Sequence, residues 1–162
     1  MKYFKMCLVS LGLLGASSAL AKDMTHRLGV GFKNNTSVSL PSVAAVYFAD
    51  KDTAYTASVG IDTLKDYTAF QASAGLRHIL FFENNMNFYV SGQAGVINIE
   101  TPATGKRSGM EILALGGVEF YFSGLENLGF TAEAGLGLAT MGSTRIYTTA
   151  LDPFRAGNIF YF

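Results

Sequence analysis

Cysteine, tryptophan, proline and charge are all scarce in this chain: one Cys, no Trp, three Pro and 15% charged residues among 162. Each scarcity excludes something. The single cysteine, Cys7, falls in a leader that is expected to be removed, leaving no internal disulfide, thiolate metal ligand or cysteine nucleophile. Cys7 also sits well ahead of the small-residue site at Ala19-Leu20-Ala21, not just after it, so lipid anchoring at a new N-terminal cysteine is not expected. With 12 basic residues against 12 acidic ones and no basic patch, nucleic acid is not an expected partner. The one sustained apolar run, at the N-terminus, falls short of the roughly 18–20 residues of a spanning helix.

That run has the three parts of a secretory signal peptide. Lys2 and Lys5 supply positive charge, Cys7 to Leu14 the apolar stretch, and Ala19 and Ala21 the small residues before cleavage. The reading is a signal peptide over 1–21 and one domain over 22–162, since 141 residues leave little room for a second. After cleavage 10 basic residues face 12 acidic ones, and about a sixth of the chain is charged against about a quarter in soluble domains. Much of the surface therefore faces something other than water.

Beyond residue 22 no segment keeps an apolar face at helical spacing for three turns, whereas alternation with period two recurs between turn residues. Eight strands are predicted: 25–33, 38–49, 53–62, 67–80, 86–99, 109–122, 129–141 and 154–162. Most have the length a tilted strand needs to cross a membrane. Along most of them one face is apolar throughout, as in Tyr55, Ala57, Val59 and Ile61, or Met110, Ile112, Ala114, Gly116, Val118 and Phe120. The opposite faces carry Arg27, Lys33, Asp62, Arg77, Glu111, Glu119 and Glu133 with Ser, Gln and many glycines. This segregation suits a membrane barrel, where a misplaced Arg or Lys at mid-membrane costs about 2–4 kcal/mol. The inward glycines suit a narrow interior filled by side chains. Strand two is apolar on both faces, and the last strand puts Asn158 in line with Phe154, Phe160 and Phe162, so neither register is fixed by pattern.

Counted from a periplasmic start, the outside loops are 34–37, 63–66, 100–108 and 142–153, and the inside turns are 50–52, 81–85 and 123–128. The two longest connections fall outside, as in outer-membrane barrels. The expected fold is an all-β, eight-stranded, antiparallel up-and-down transmembrane barrel.

The mature sequence resembles the small eight-stranded outer-membrane barrels of Gram-negative bacteria: the transmembrane domain of outer membrane protein A, outer membrane protein X and the opacity-type proteins. The resemblance lies in the strand pattern, in Phe88-Tyr89-Val90-Ser91-Gly92-Gln93-Ala94-Gly95-Val96, in Gly116 to Phe122, in Ala134 to Leu138, and in the terminal Ile159-Phe160-Tyr161-Phe162. It implies that Phe160 and Phe162 form the signal read by the barrel-assembly machinery, and that periplasmic chaperones, outer-membrane lipid and lipopolysaccharide are the partners. Read from the residues alone, a terminal aromatic is equally an interfacial girdle residue.

Some barrels of this size modify lipid A, and a hydrolytic site needs a nucleophile, a base and an orienting acid. His26 lies near the periplasmic start of strand one and His78 on the apolar stripe toward the periplasmic end of strand four, neither with the His-x-Ser spacing of the lipid A deacylases. No catalytic residue, cofactor or metal is expected. Charges inside a filled barrel must be paired, and Arg27 and Arg77 with Glu111, Glu119 and Glu133 form the expected lumen network. Lys106, Arg107, Arg145 and Arg155, with Tyr147, fall in or beside the outside loops, where they would be solvated or touch lipopolysaccharide phosphates. The segment 142–153 is the favoured surface-binding loop. The expected role is a non-enzymatic structural or surface-interaction barrel; the alternatives are a narrow small-solute channel and a lipid A-modifying enzyme.

Overall fold

Nine strands form in the computed structural model, which describes residues 23–35, 40–149 and 155–162. They are β1 (Leu28–Asn35), β2 (Leu40–Phe48), β3 (Thr53–Leu64), β4 (Tyr67–Glu83), β5 (Met86–Thr101), β6 (Gly105–Phe122), β7 (Leu125–Thr140), β8 (Thr144–Thr148) and β9 (Arg155–Tyr161). Every pairing is antiparallel between chain neighbours up to β7, and β9 then pairs with both β7 and β1 to close the sheet. β8 and β9 together make the eighth stave: β8 pairs with the outer part of β7, from Leu136↔Thr148 to Thr140↔Thr144, and β9 with the inner part, from Glu133↔Arg155 to Leu128↔Phe160. The cleavage residues Ala19 and Ala21 lie outside the described residues.

Closure settles the two uncertain registers. In β2 the small or aliphatic Ala44 and Val46, with Phe48, turn inward, while Val43 and Tyr47 turn outward. In β9 Ile159 and Tyr161 are buried, and Asn158 lies exposed on the outer face between Phe32 and Phe130. The stripe expected on the outer face is there: Phe32, Ile61, Met110, Leu136, Phe160 and Phe162 are all more than half exposed. A β-bulge extends it. Ile79 points inward, so strict alternation would bring Phe81 inside, but a register shift between Ile79 and Phe81 inserts Leu80 and turns Phe81 out beside Phe88. The end of the barrel that holds both chain ends thereby gains a run of exposed phenylalanines, with Phe122 against Phe130 at 5.4 Å and Phe160 against Phe162 at 6.5 Å.

Most connections that the structure describes are shorter than the pattern suggested. The expected loop 100–108 contracts to 102–104, because β5 runs to Thr101 and β6 begins at Gly105, a glycine at φ +64°. The expected loop 142–153 is not one surface loop: its alternating Thr144 to Thr148 pairs with β7 as β8. On the opposite end the turn at 49–52 is held by Asp50, whose Oδ1 accepts from the amides of Asp52 (3.0 Å) and Thr53 (2.7 Å). The middle strands β4 to β7, at 17, 16, 18 and 16 residues, exceed the roughly 9–11 that cross a bilayer.

The interior is layered. Nearest the chain ends Met24, Phe48, Ala54, Ile79, Tyr121 and Tyr161 pack as an apolar plug. Met24 is carried into it by a turn in which Arg27 N donates to Met24 O and His26, at φ 62°, donates to Phe48 O. Toward the other end Leu113, Leu115, Ala139 and Tyr147 form a second apolar group. Lys33, Arg77, Glu119, Glu133 and Arg155 lie between, while Glu111 lies past Leu113 and Leu115 on β6, level with Ala139.

Candidate functional site

The charged layer is built from strands whose inward positions alternate with the outer stripe. Lys33 comes from β1, Arg77 from β4, Glu111 and Glu119 from β6, Glu133 from β7 and Arg155 from β9. Three cations and three carboxylates are thus enclosed. Glu133 is the hub: its carboxylate lies 2.6 Å from Lys33 Nζ and 3.8 Å from both Arg77 and Arg155. Arg77 also meets Glu119 at 3.1 Å, and its guanidinium sits 4.0 Å over the ring of Tyr89.

Each of the three glutamates also receives a tyrosine hydroxyl. Tyr89 donates to Glu133 at 2.8 Å, Tyr147 to Glu111 at 2.6 Å and Tyr161 to Glu119 at 2.7 Å. Each of these tyrosines lies across from a glycine on the neighbouring strand: Tyr89↔Gly117, Tyr147↔Gly137 and Tyr161↔Gly29. A methyl group at any of the three glycines would run into the tyrosine ring. The glycines therefore let the rings lie against the wall and reach the carboxylates. Gln71 donates to Glu111 at 2.9 Å, and Arg155 donates to Gln93 Oε1 at 3.2 Å. A carboxylate removed from water is tolerable only with this number of donors.

Among the residues predicted for the lumen network, Arg77, Glu111, Glu119 and Glu133 are each at most 1% exposed inside the barrel. Arg27 stands apart from them: it is half-buried near the chain ends and donates to Asn127 at 3.1 Å. The cations that join Arg77 are Lys33 and Arg155. Arg155, expected at the outside rim, is 1% exposed because β9 begins with it and aims it inward. Tyr147 is likewise inside, since β8 is a strand. Both had a signal in the sequence: Arg155 shares parity with Gly157, Ile159 and Tyr161, and Thr-Arg-Ile-Tyr-Thr has strand composition.

The remaining rim cations stay exposed. Arg107 donates to Met141 O at 2.7 Å, tying the tip of the β5–β6 hairpin to the turn after β7, and the Arg145 guanidinium lies 5.1 Å over the Tyr147 ring. Lys106 is exposed opposite Glu100. His26 and His78 are both exposed, His26 in the turn before β1 and His78 on the outer face of β4, pairing with Thr53 and Val90. Among the described residues no group of three His, Cys, Asp or Glu could hold a metal ion.

A closed eight-stranded antiparallel barrel, apolar outside and polar at its centre, defines the outer-membrane barrel class of fold. A solved structure with this fold is the N-terminal β-barrel domain of OprF from Pseudomonas aeruginosa, similar with a TM-score of 0.64 and 16% identity over 85% of this chain and 98% of that one. Neither a protein-family model nor a curated protein matches the sequence significantly.

Proposed function

We propose that this chain is an outer-membrane barrel protein of a Gram-negative envelope, acting without catalysis through its place in the lipid and its exterior hairpins. The observation that carries the reading is the pairing of an exposed apolar outer face with a filled interior. Phe32, Ile61, Met110, Ile112, Leu136 and Ile146 are each more than half exposed. In water such a continuous face would be an aggregation surface; in lipid it is the solvated face. Outer-membrane lipid and lipopolysaccharide are then the first partners, and the exposed Lys106, Arg107 and Arg145 are the cations that would meet phosphates. Phe160 and Phe162, outward on the closing strand, are the residues the barrel-assembly machinery would read, after periplasmic chaperones have carried the unfolded chain.

The charged layer favours one second reading, a narrow ion path. Apolar groups on both sides of that layer oppose it at rest, so conduction requires the interior to rearrange. Cell fractionation followed by electrophoresis of heated and unheated samples tests the main reading. Heat-modifiable protein in the outer-membrane fraction is expected; soluble protein without a shift refutes it. Conductance steps in planar bilayers would transfer the assignment to the channel, and an altered lipid A mass on overproduction would transfer it to an enzyme.

A further inference from the structure

Asn158 is a polar side chain on the outer wall with apolar neighbours on four sides: Phe32 and Phe130 across the flanking ladders, Ala156 and Phe160 along β9. Its amide is exposed and has no hydrogen-bond partner among the described residues. Asn34, on the same face of β1, is engaged by contrast, its Oδ1 accepting from Ala156 N at 2.6 Å. In lipid, two N–H donors and a carbonyl left open are costly. We propose that the face centred on Asn158 is a contact between two copies of this chain in the membrane, with the two amides paired reciprocally.

The first feature that points to a second copy is chemical. An amide is donor and acceptor at once and carries no charge, so a two-fold axis sets the N–H of each against the carbonyl of the other without repulsion. The second is shape. On the β1 side of Asn158 the ring of Phe32 projects, 64% exposed. On the opposite side, beyond Phe130, the wall dips into a recess of about 460 Å³ lined by Gly116, Ala132 and Ala134 with Phe81, Phe88 and Val90. A two-fold axis exchanges the sides, turning the projection of each copy toward the hollow of the other. The chain leaves that hollow open itself: a methyl group at Gly116 would meet only Ala134 O, at 4.0 Å. A lipid acyl chain could fill the recess but offers the amide nothing.

The inference rests on the membrane reading proposed above. The test is sedimentation equilibrium of the chain, purified from outer membranes, in density-matched detergent micelles, each variant first checked for heat-modifiable gel mobility. A monomer–dimer equilibrium is expected, weakened about ten-fold by Asn158→Leu, the worth of two interchain hydrogen bonds in an apolar medium. Asn158→Gln, which keeps an amide, should lose less than the leucine variant. Gly116→Leu, which fills the recess, should weaken the dimer, and Ile61→Ala, remote on β3, should leave it unchanged. Soluble protein without a gel shift in the fractionation experiment removes the membrane reading and this contact with it. Heat-modifiable protein that stays monomeric, that retains a phospholipid at this face in place of a second copy, or that dimerises equally well with leucine at 158 overturns this inference alone.

Discussion

Replacing Glu133 by Gln tests the reasoning about the interior most directly, because that carboxylate gathers three cations. The substitution keeps the shape and an acceptor for Tyr89 but removes the charge that faces Lys33 at 2.6 Å and Arg77 and Arg155 at 3.8 Å. Removing one partner of a buried ion pair costs about 3–5 kcal/mol, chiefly because the other charge is left unpaired. Here Arg77 retains Glu119 at 3.1 Å and Arg155 retains Gln93. Lys33 is the cation nearest the Glu133 carboxylate, at 2.6 Å against 3.8 Å for the two arginines, so the lysine should account for most of the loss. Urea titration of folding into phospholipid vesicles measures it; with no tryptophan in the chain, gel mobility and far-ultraviolet circular dichroism are the probes. Adding Lys33→Met to Glu133→Gln should recover part of the loss, a coupling of about 1–3 kcal/mol. A loss below about 1 kcal/mol, or strictly additive single and double variants, would refute the claim that these charges are dry and mutually dependent.

Other outcomes follow from the same geometry. Leu136→Arg, on the outer face at 57% exposure, should lower stability by about 2–4 kcal/mol in vesicles and by much less in a water-soluble barrel, so the vesicle measurement also checks the membrane reading. Gly117→Ala forces a methyl group within 2.5 Å of the Tyr89 ring and should cost about 1–3 kcal/mol by the same titration, whereas Gly92→Ala, whose added methyl meets nothing within 4 Å, should cost little. Tyr147→Phe withdraws one of the donors to Glu111 and should cost about 1–3 kcal/mol if β8 is a strand; no change would return Tyr147 to an exposed loop.

Period-two alternation was enough to define the wall. It placed the stripe from Leu28 and Phe32 through Met110 and Ile112 to Leu136 on one side, and Arg77, Glu111, Glu119 and Glu133 on the other, because in a strand parity alone decides the face. It failed where parity is broken or pairing is remote. The bulge at Leu80 reverses the parity of Phe81, and no local pattern announces a register shift that depends on how β5 lies against β4. The segment 142–153 reads as a polar loop until Thr144 to Thr148 is seen against the edge of β7. Arg27 and Arg155 show the same limit for the interior. Both share parity with inward residues, but only closure of β9 on β1 and β7 decides which lies deep enough to meet Glu133. Where the alternation is unbroken, the sequence by itself determined which side of the wall a residue occupies, since that is a property of successive backbone units. Partners across the lumen depend on the tilt and stagger of closed strands, and these the tertiary structure alone decided.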